Sequence, residues 1–229
     1  MKTFLAGLGI LAAAGAASAA TITTVLDTSN AIDAPLNSNP AYASSSYYNY
    51  FGEVDGGTLE TKVLIRFDLT SLPPSSVINS AKLFIRQYGG NTTQTGTVHA
   101  ILKDWNNSLT YNLYDGVNAW STPGLGSGTD YEAASSASVA FNSPGSDIEI
   151  DITSQYLQWD NSSEANYGLV LIPTNLDNNY VELAATEPIP PNTEPFGVQL
   201  VIDYTVVPEP ASMGLVGLAG IGLLARRRG

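Results

Sequence analysis

The chain contains no cysteine and a single histidine. Without thiols it forms no disulfide, so a folded domain must be held by its core. Thiol nucleophiles and cysteine-ligated zinc are excluded on the same ground. His99 has no second imidazole with which to share a metal. No G-x-S-x-G turn accompanies it, and no D-x-D-x-D-G calcium loop occurs anywhere in the chain. Alternation with Val98 and Ala100 turns His99 away from the core face and predicts a solvated strand residue.

Positive charge is scarce too. Nine Lys and Arg stand against 21 Asp and Glu, for a net charge of −12. From 21 to 207 the cations are Lys62, Arg66, Lys82, Arg86 and Lys103. Such a surface repels nucleic acid and anionic lipid, and an acidic polysaccharide as well unless a divalent cation bridges the two. Polar strength lies instead in Asn, Ser, Thr and Gly.

Long apolar runs occur only at the two ends. Met1-Lys2 leads into apolar residues 4–17 and then Ala17-Ser18-Ala19. A positive start, a short apolar core and an A-x-A site make a secretory signal peptide over 1–20, cleaved after Ala19 or Ala20. At the other end Pro208-Glu209-Pro210 precedes a fifteen-residue apolar run, 211–225, and then Arg226-Arg227-Arg228. As a helix that run spans about 22 Å, against about 30 Å of bilayer core. It contains four glycines, which weaken a helix further. The arginines hold its C-terminus in the cytoplasm and leave everything before Pro208 outside. This order of parts resembles the PEP-CTERM sorting signal. The resemblance implies an exported bacterial protein, anchored transiently in the inner membrane, processed by an exosortase-type enzyme at Pro208, Glu209 and Pro210, and delivered to the cell surface or the extracellular matrix.

Between the signals, 21–207 reads as one domain of short strands. At 61–69, Val63, Ile65 and Phe67 share one face, with Lys62, Leu64, Arg66 and Asp68 opposite. At 77–88, Ala81, Leu83 and Ile85 share a face. Ile148, Ile150 and Ile152 form a third inward row, and Val98, Ala100 and Leu102 a fourth. Further strands are expected at 21–27, 47–52, 138–141, 167–172, 180–184 and 197–206. Residues 30–46 read as a loop, 72–76 and 89–91 as turns, and 104–135 as long loops on one rim. One short helix is expected at 154–160, capped by Asp151, Thr153 or Ser154. About ten strands with turn signals between them indicate an all-β, antiparallel β-sandwich.

Several segments carry a second resemblance. Residues 62–69, Lys62-Val63-Leu64-Ile65-Arg66-Phe67-Asp68-Leu69, are followed by Leu72-Pro73 and Ile78-Asn79-Ser80-Ala81-Lys82-Leu83. Later come Asp104-Trp105 with Thr110, and Asp151-Ile152-Thr153 with Trp159, Asn166 and Tyr167-Gly168-Leu169. These runs resemble the DNRLRE-type domain, which overlaps the alginate-binding group called carbohydrate-binding module family ninety-six. The resemblance implies a jelly-roll β-sandwich of secreted and surface proteins. Asn107 stands where relatives have glutamate, and Tyr111-Asn112 replaces a tryptophan pair, so the rim those residues form departs from the family pattern.

Three kinds of chemistry remain open. Aromatic rings stack on the C–H faces of sugars, and Tyr111, Tyr114 and Trp120 lie in the long loops; Tyr47, Tyr48, Tyr50 and Phe51 form another cluster. Trp105 and Trp159 are expected in the core. Hard oxygen ligands suit a structural calcium, for which Asp27, Asp33, Asp55 and Asp177 are the candidates. Glu149 and Asp151 share the outward face of one strand about 7 Å apart, a separation compatible with a glycosidase pair. The reading adopted is a non-catalytic surface or matrix protein associated with exopolysaccharide. A binding module for one defined glycan is the alternative, and a polysaccharide hydrolase or lyase the third.

Overall fold

In a computed structural model the described residues are 20–39, 48–69, 76–90, 93–186 and 197–206. The two terminal signals, residues 72–75 of the expected turn and Tyr47 lie outside them. The described residues are almost all β, with eleven strands and one short α-helix, α1 (Thr153–Asp160). The strands are β1 (Ala20–Leu26), β2 (Ala31–Leu36), β3 (Tyr48–Val54), β4 (Leu59–Phe67), β5 (Ser76–Gly90), β6 (Gln94–Ala100), β7 (Ala137–Phe141), β8 (Asp147–Asp151), β9 (Leu169–Pro173), β10 (Tyr180–Ala184) and β11 (Gln199–Val206). They join in one antiparallel sheet of order β1-β11-β5-β10-β3-β4-β9-β6-β7, with β2 added to β4 and β8 to β5.

Two strands organise the rest. β5 pairs with β11 along 76–84, with β8 along 82–86 and with β10 along 87–90. β4 pairs with β2 along 62–67, with β9 along 63–65 and with β3 along 59–61. β10 and β3 pair with each other and so link the two. The predicted rows of β4, β5 and β8 all face the main core. Val63, Ile65, Phe67, Ala81, Leu83, Ile85, Ile150 and Ile152 are buried together with Leu171, Leu200 and Ile202. Each such aliphatic side chain contributes about 1.5–3 kcal/mol of burial, which is how the fold holds without disulfides.

β4 is buried on both faces. Leu64, on the side opposite the main core, packs with Leu36, Ile101, Trp105, Trp120, Leu125 and Val170 in a second cluster. Its neighbours on that face are covered as well. The Arg66 guanidinium lies 5.5 Å from the centre of the Trp105 ring, and Lys62 Nζ donates to Gly124 O at 2.9 Å. The segment 101–136 is irregular, as its composition predicts, but it forms a roof over β4 and β9 and not a simple rim.

Five expectations are corrected. Ala31–Leu36 is a strand, not part of a loop. Asp33 and Pro35 hide its periodicity, and Pro35 is tolerated because β2 has β4 as its only strand partner among the described residues. Gly89 and Gly90 continue β5 instead of turning; they face Glu182 and Val181 across the ladder. Ile101 is buried where Leu102 was expected, because β6 ends at Ala100 and the inward alternation ends with it. His99 does turn from the main core, yet it is 8 % exposed, because residues 131–132 cover it. The helix runs Thr153–Asp160, but its N-cap is Ile152 and no side chain caps it, so none of Asp151, Thr153 and Ser154 takes the expected role; Asp151 Oδ1 accepts from Thr153 N at 2.9 Å in a turn just before the helix.

Gly90 lies under a tight constraint. Its φ is +115°, and a Cβ there would sit 2.6 Å from Val181 Cα and 2.7 Å from Tyr180 O. Gly90→Ala is therefore expected to destabilise the domain by about 3 kcal/mol, combining backbone strain with contact against β10. Urea denaturation checks this; an unchanged midpoint contradicts it.

Candidate functional site

The long segment 101–136 was expected to carry the glycan-binding aromatics. The structure brings Tyr111, Tyr114 and Trp120 together but uses them mainly for packing. Trp120 is 4 % exposed, lies 5.5 Å from the Tyr114 ring centre, and donates through Nε1 to Thr110 O at 3.0 Å. Neither face of its indole is open to a sugar ring. Tyr111 and Tyr114 are half-buried against the same cluster. Trp105, fully buried, donates to Tyr167 O at 2.7 Å. Trp159 is buried too, both as expected.

One residue of this segment carried no sequence signal. The Asp130 carboxylate is fully buried and accepts from Ser121 N, Ser121 Oγ and Gly126 N at 2.7–2.9 Å. Burial alone would raise its pKa; the hydrogen bonds from Gly126 and Ser121 outweigh that and hold the group below the usual carboxylate range. A lone aspartate in a Ser- and Gly-rich stretch looks like any loop acid, so nothing in the sequence distinguishes it.

The remaining candidates are dispersed. Asp27 caps the 3-10 turn 28–30, accepting from Ser29 N at 2.9 Å and Ser29 Oγ at 2.7 Å, and these bonds hold its carboxyl below the ordinary range. Asp33 joins β2 to its surroundings by accepting from Asn49 Nδ2 and from the amide and hydroxyl of Thr186. Asp55 sits in the turn after β3 with φ +55°, where its carbonyl accepts from Thr58 Oγ1 at 2.9 Å. Asp177 is exposed in the turn before β10. Among the described residues no three His, Cys, Asp or Glu side chains gather where a metal ion could sit.

The groups considered for acid–base work have structural partners. His99 Nδ1 lies 2.8 Å from Glu132 O and Nε2 lies 2.8 Å from Thr97 Oγ1, so both ring nitrogens are engaged. Glu149 pairs with Lys82 at 2.6 Å. The hydroxyl and amide of Thr153 keep the Asp151 carboxyl below the ordinary range.

A different aromatic group is assembled by the sheet. On the face of β3, β10 and the end of β5 turned from the main core, Tyr48 and Tyr88 are parallel within 9° at a centroid distance of 6.0 Å. Tyr50 meets Tyr48 edge-on at 5.3 Å and Tyr180 at 5.4 Å. Glu182 lies directly opposite Tyr50 across the β10–β3 ladder and opposite Gly89 on the other side. Its side chain occupies the space a Cβ at Gly89 would need. Burial raises the Glu182 pKa. The Tyr50 pKa is raised chiefly by the Tyr48 hydroxyl, then by burial and by Glu182 and Tyr180. The sequence displays Tyr48 and Tyr50 as a pair; Tyr88, Tyr180 and Glu182 join them only through strand order.

The two ends of the domain meet. β1 and β11 pair in continuous register, with Ala20 opposite Val206. The expected signal-peptide cleavage site and the terminal sorting segment therefore adjoin the fold at the same end of the β1–β11 pair. Residues 206–228 match the model of the PEP-CTERM protein-sorting motif. That match includes Pro208, Glu209, Pro210 and Arg226–Arg228, which lie outside the described residues. It identifies the chain as carrying a sorting motif that directs export, exosortase processing and placement at the cell surface. Comparison with curated proteins gives no match.

Two outcomes are expected. Processed protein recovered from cells should lack Arg226–Arg228, with an intact mass placing its C-terminus near Pro208–Pro210; recovery of the arginines would contradict processing. Asp130→Ala should cost about 3 kcal/mol by leaving its buried donors unpaired. Because the folded pKa of Asp130 lies below the unfolded value, its stabilisation is present above about pH 3.9 and is lost as pH falls through the folded value. Urea midpoints of wild type and Asp130→Ala should therefore converge in acid. A difference that persists to the lowest pH at which both fold would contradict this role.

Proposed function

We propose that the protein is a non-catalytic component of the cell surface or extracellular matrix that associates with exopolysaccharide. We further propose that its domain is a jelly-roll β-sandwich of the DNRLRE type, with a signal peptide at 1–20 and transient anchoring in the inner membrane through 211–225. The observation that carries the functional reading is the sorting motif attached to an acidic, strand-built domain that presents grouped tyrosines. A sandwich closure is supported by the main core, where residues of β1, β5, β8 and β11 pack with residues of β4, β6, β7 and β9.

The tyrosine group favours the second reading, a binding module for a glycan, as a refinement of the first. Catalysis is the weakest reading. The acids and the imidazole that could perform it are tied to Lys82, Thr153, Thr97 and Glu132, and each contact stabilises the fold as it stands.

Cell fractionation tests the proposal. Protein expressed in an exosortase-containing host should co-sediment with the exopolysaccharide fraction and be released when that polymer is enzymatically degraded. Turnover of the polymer by purified protein, abolished by Glu149→Gln, would contradict the non-catalytic reading.

A further inference from the structure

We propose that the end of the sheet formed by the start of β1, the last residues of β11 and the start of β5 is a docking surface for the peptidase that cuts the sorting motif. This rests on the exosortase reading of the tail and names where on the folded domain that enzyme sits.

Chain length carries the argument. β11 is paired on both sides up to its last residue: Thr205 faces Thr21 and Val77, and Val206 faces Ala20 and Ser76. Pro208 follows after a single residue, and the apolar run begins at 211. Residues 207–210 span at most about 14 Å when fully extended. Peptides bound as extended strands pair their main chain with the protein that holds them. Tyr204, Thr205 and Val206 have no free edge to offer, because both edges are used by β1 and β5. Cleavage near Pro208–Pro210 therefore brings the enzyme against the ends of these three strands.

The chemistry of this rim sets the kind of contact. Its outermost cross-strand rows are Ala20 with Val206 and Ser76, Thr21 with Thr205 and Val77, and Ile22 with Tyr204 and Ile78. No side chain in them is charged. The first acid along these strands is Asp203, about 10 Å from the end, and its carboxylate accepts from Thr23 Oγ1 and Ser80 Oγ. Val77 is 54 % exposed and Ile22 39 %. They belong to successive rows and so stand on opposite faces of the sheet end. The chain carries −12 overall. At this rim an apolar enzyme surface can approach without stripping water from a carboxylate.

Pulse–chase of the full-length precursor in an exosortase-containing host, read by intact mass, tests the contact. Val77→Glu and Val77→Lys should each slow cleavage at least fivefold, since an apolar contact rejects either sign. Val117→Glu, at an 81 % exposed position in the roof, should leave the rate unchanged. Twelve Gly and Ser residues inserted between Val207 and Pro208 free the motif from the rim. In that background Val77→Glu should be cut within twofold of its spacer-carrying parent. Thermal midpoints of the processed domain identify a variant that fails to fold, and Thr21→Glu, at an exposed position of the same row, is then read in its place. Cleavage indifferent to both Val77 variants would overturn the docking surface and leave exosortase processing intact. A slowing that the spacer does not relieve, or one produced by a single sign of charge, would also overturn it. A wild-type precursor that is never cut would overturn the exosortase reading and the docking surface together.

Discussion

The close pairing of the end of β5 with β10 is the contact on which most of this structure depends. β5 is shared along its length between β11, β8 and β10. Only its last residues reach β10, which in turn carries the sheet to β3 and β4. A side chain at Gly90 would strike the β10 backbone, and one at Gly89 would strike Glu182. The same approach that joins the two parts of the sheet thus lowers a carboxylate among the tyrosines.

A second constraint follows from exporting a domain that has no cysteine. Its stability must come from burial, and β4 is buried on both faces. The main core takes Val63, Ile65 and Phe67, while the roof formed by 101–136 takes Leu64. That roof has little regular structure. It is held by the indole donors of Trp105 and Trp120 and by the buried Asp130 carboxylate. Hydrogen bonds to a buried charge are among the stronger polar contacts a loop can have, which explains how a long irregular segment stays packed.

The inward rows of β4, β5 and β8 were legible because strand periodicity reports burial on one face. Leu64 was read as outward because periodicity along one strand is silent about a roof contributed by residues 37–61 positions later. Trp120 was read as a sugar contact for the same reason: an aromatic in a polar loop looks alike whether it packs or waits for a ligand. β2 was missed because Asp33 spends its carboxylate on Asn49 and Thr186, partners distant in sequence. Half of the tyrosine group was visible as Tyr48 and Tyr50. The other half depends on β10 lying between β3 and β5, an order that no local pattern encodes. The sorting tail, by contrast, was fully legible, because an address is read as sequence and needs no fold.

Surface delivery and sheet architecture meet in one proposal, that this strand-built domain associates with exopolysaccharide outside the cell. The most direct measurement is hydrogen–deuterium exchange of the processed protein with and without saturating exopolysaccharide. The account predicts slowed exchange confined to residues 48–50, 87–90 and 180–182. Protection over 104–135 instead, or no protection anywhere, would contradict it.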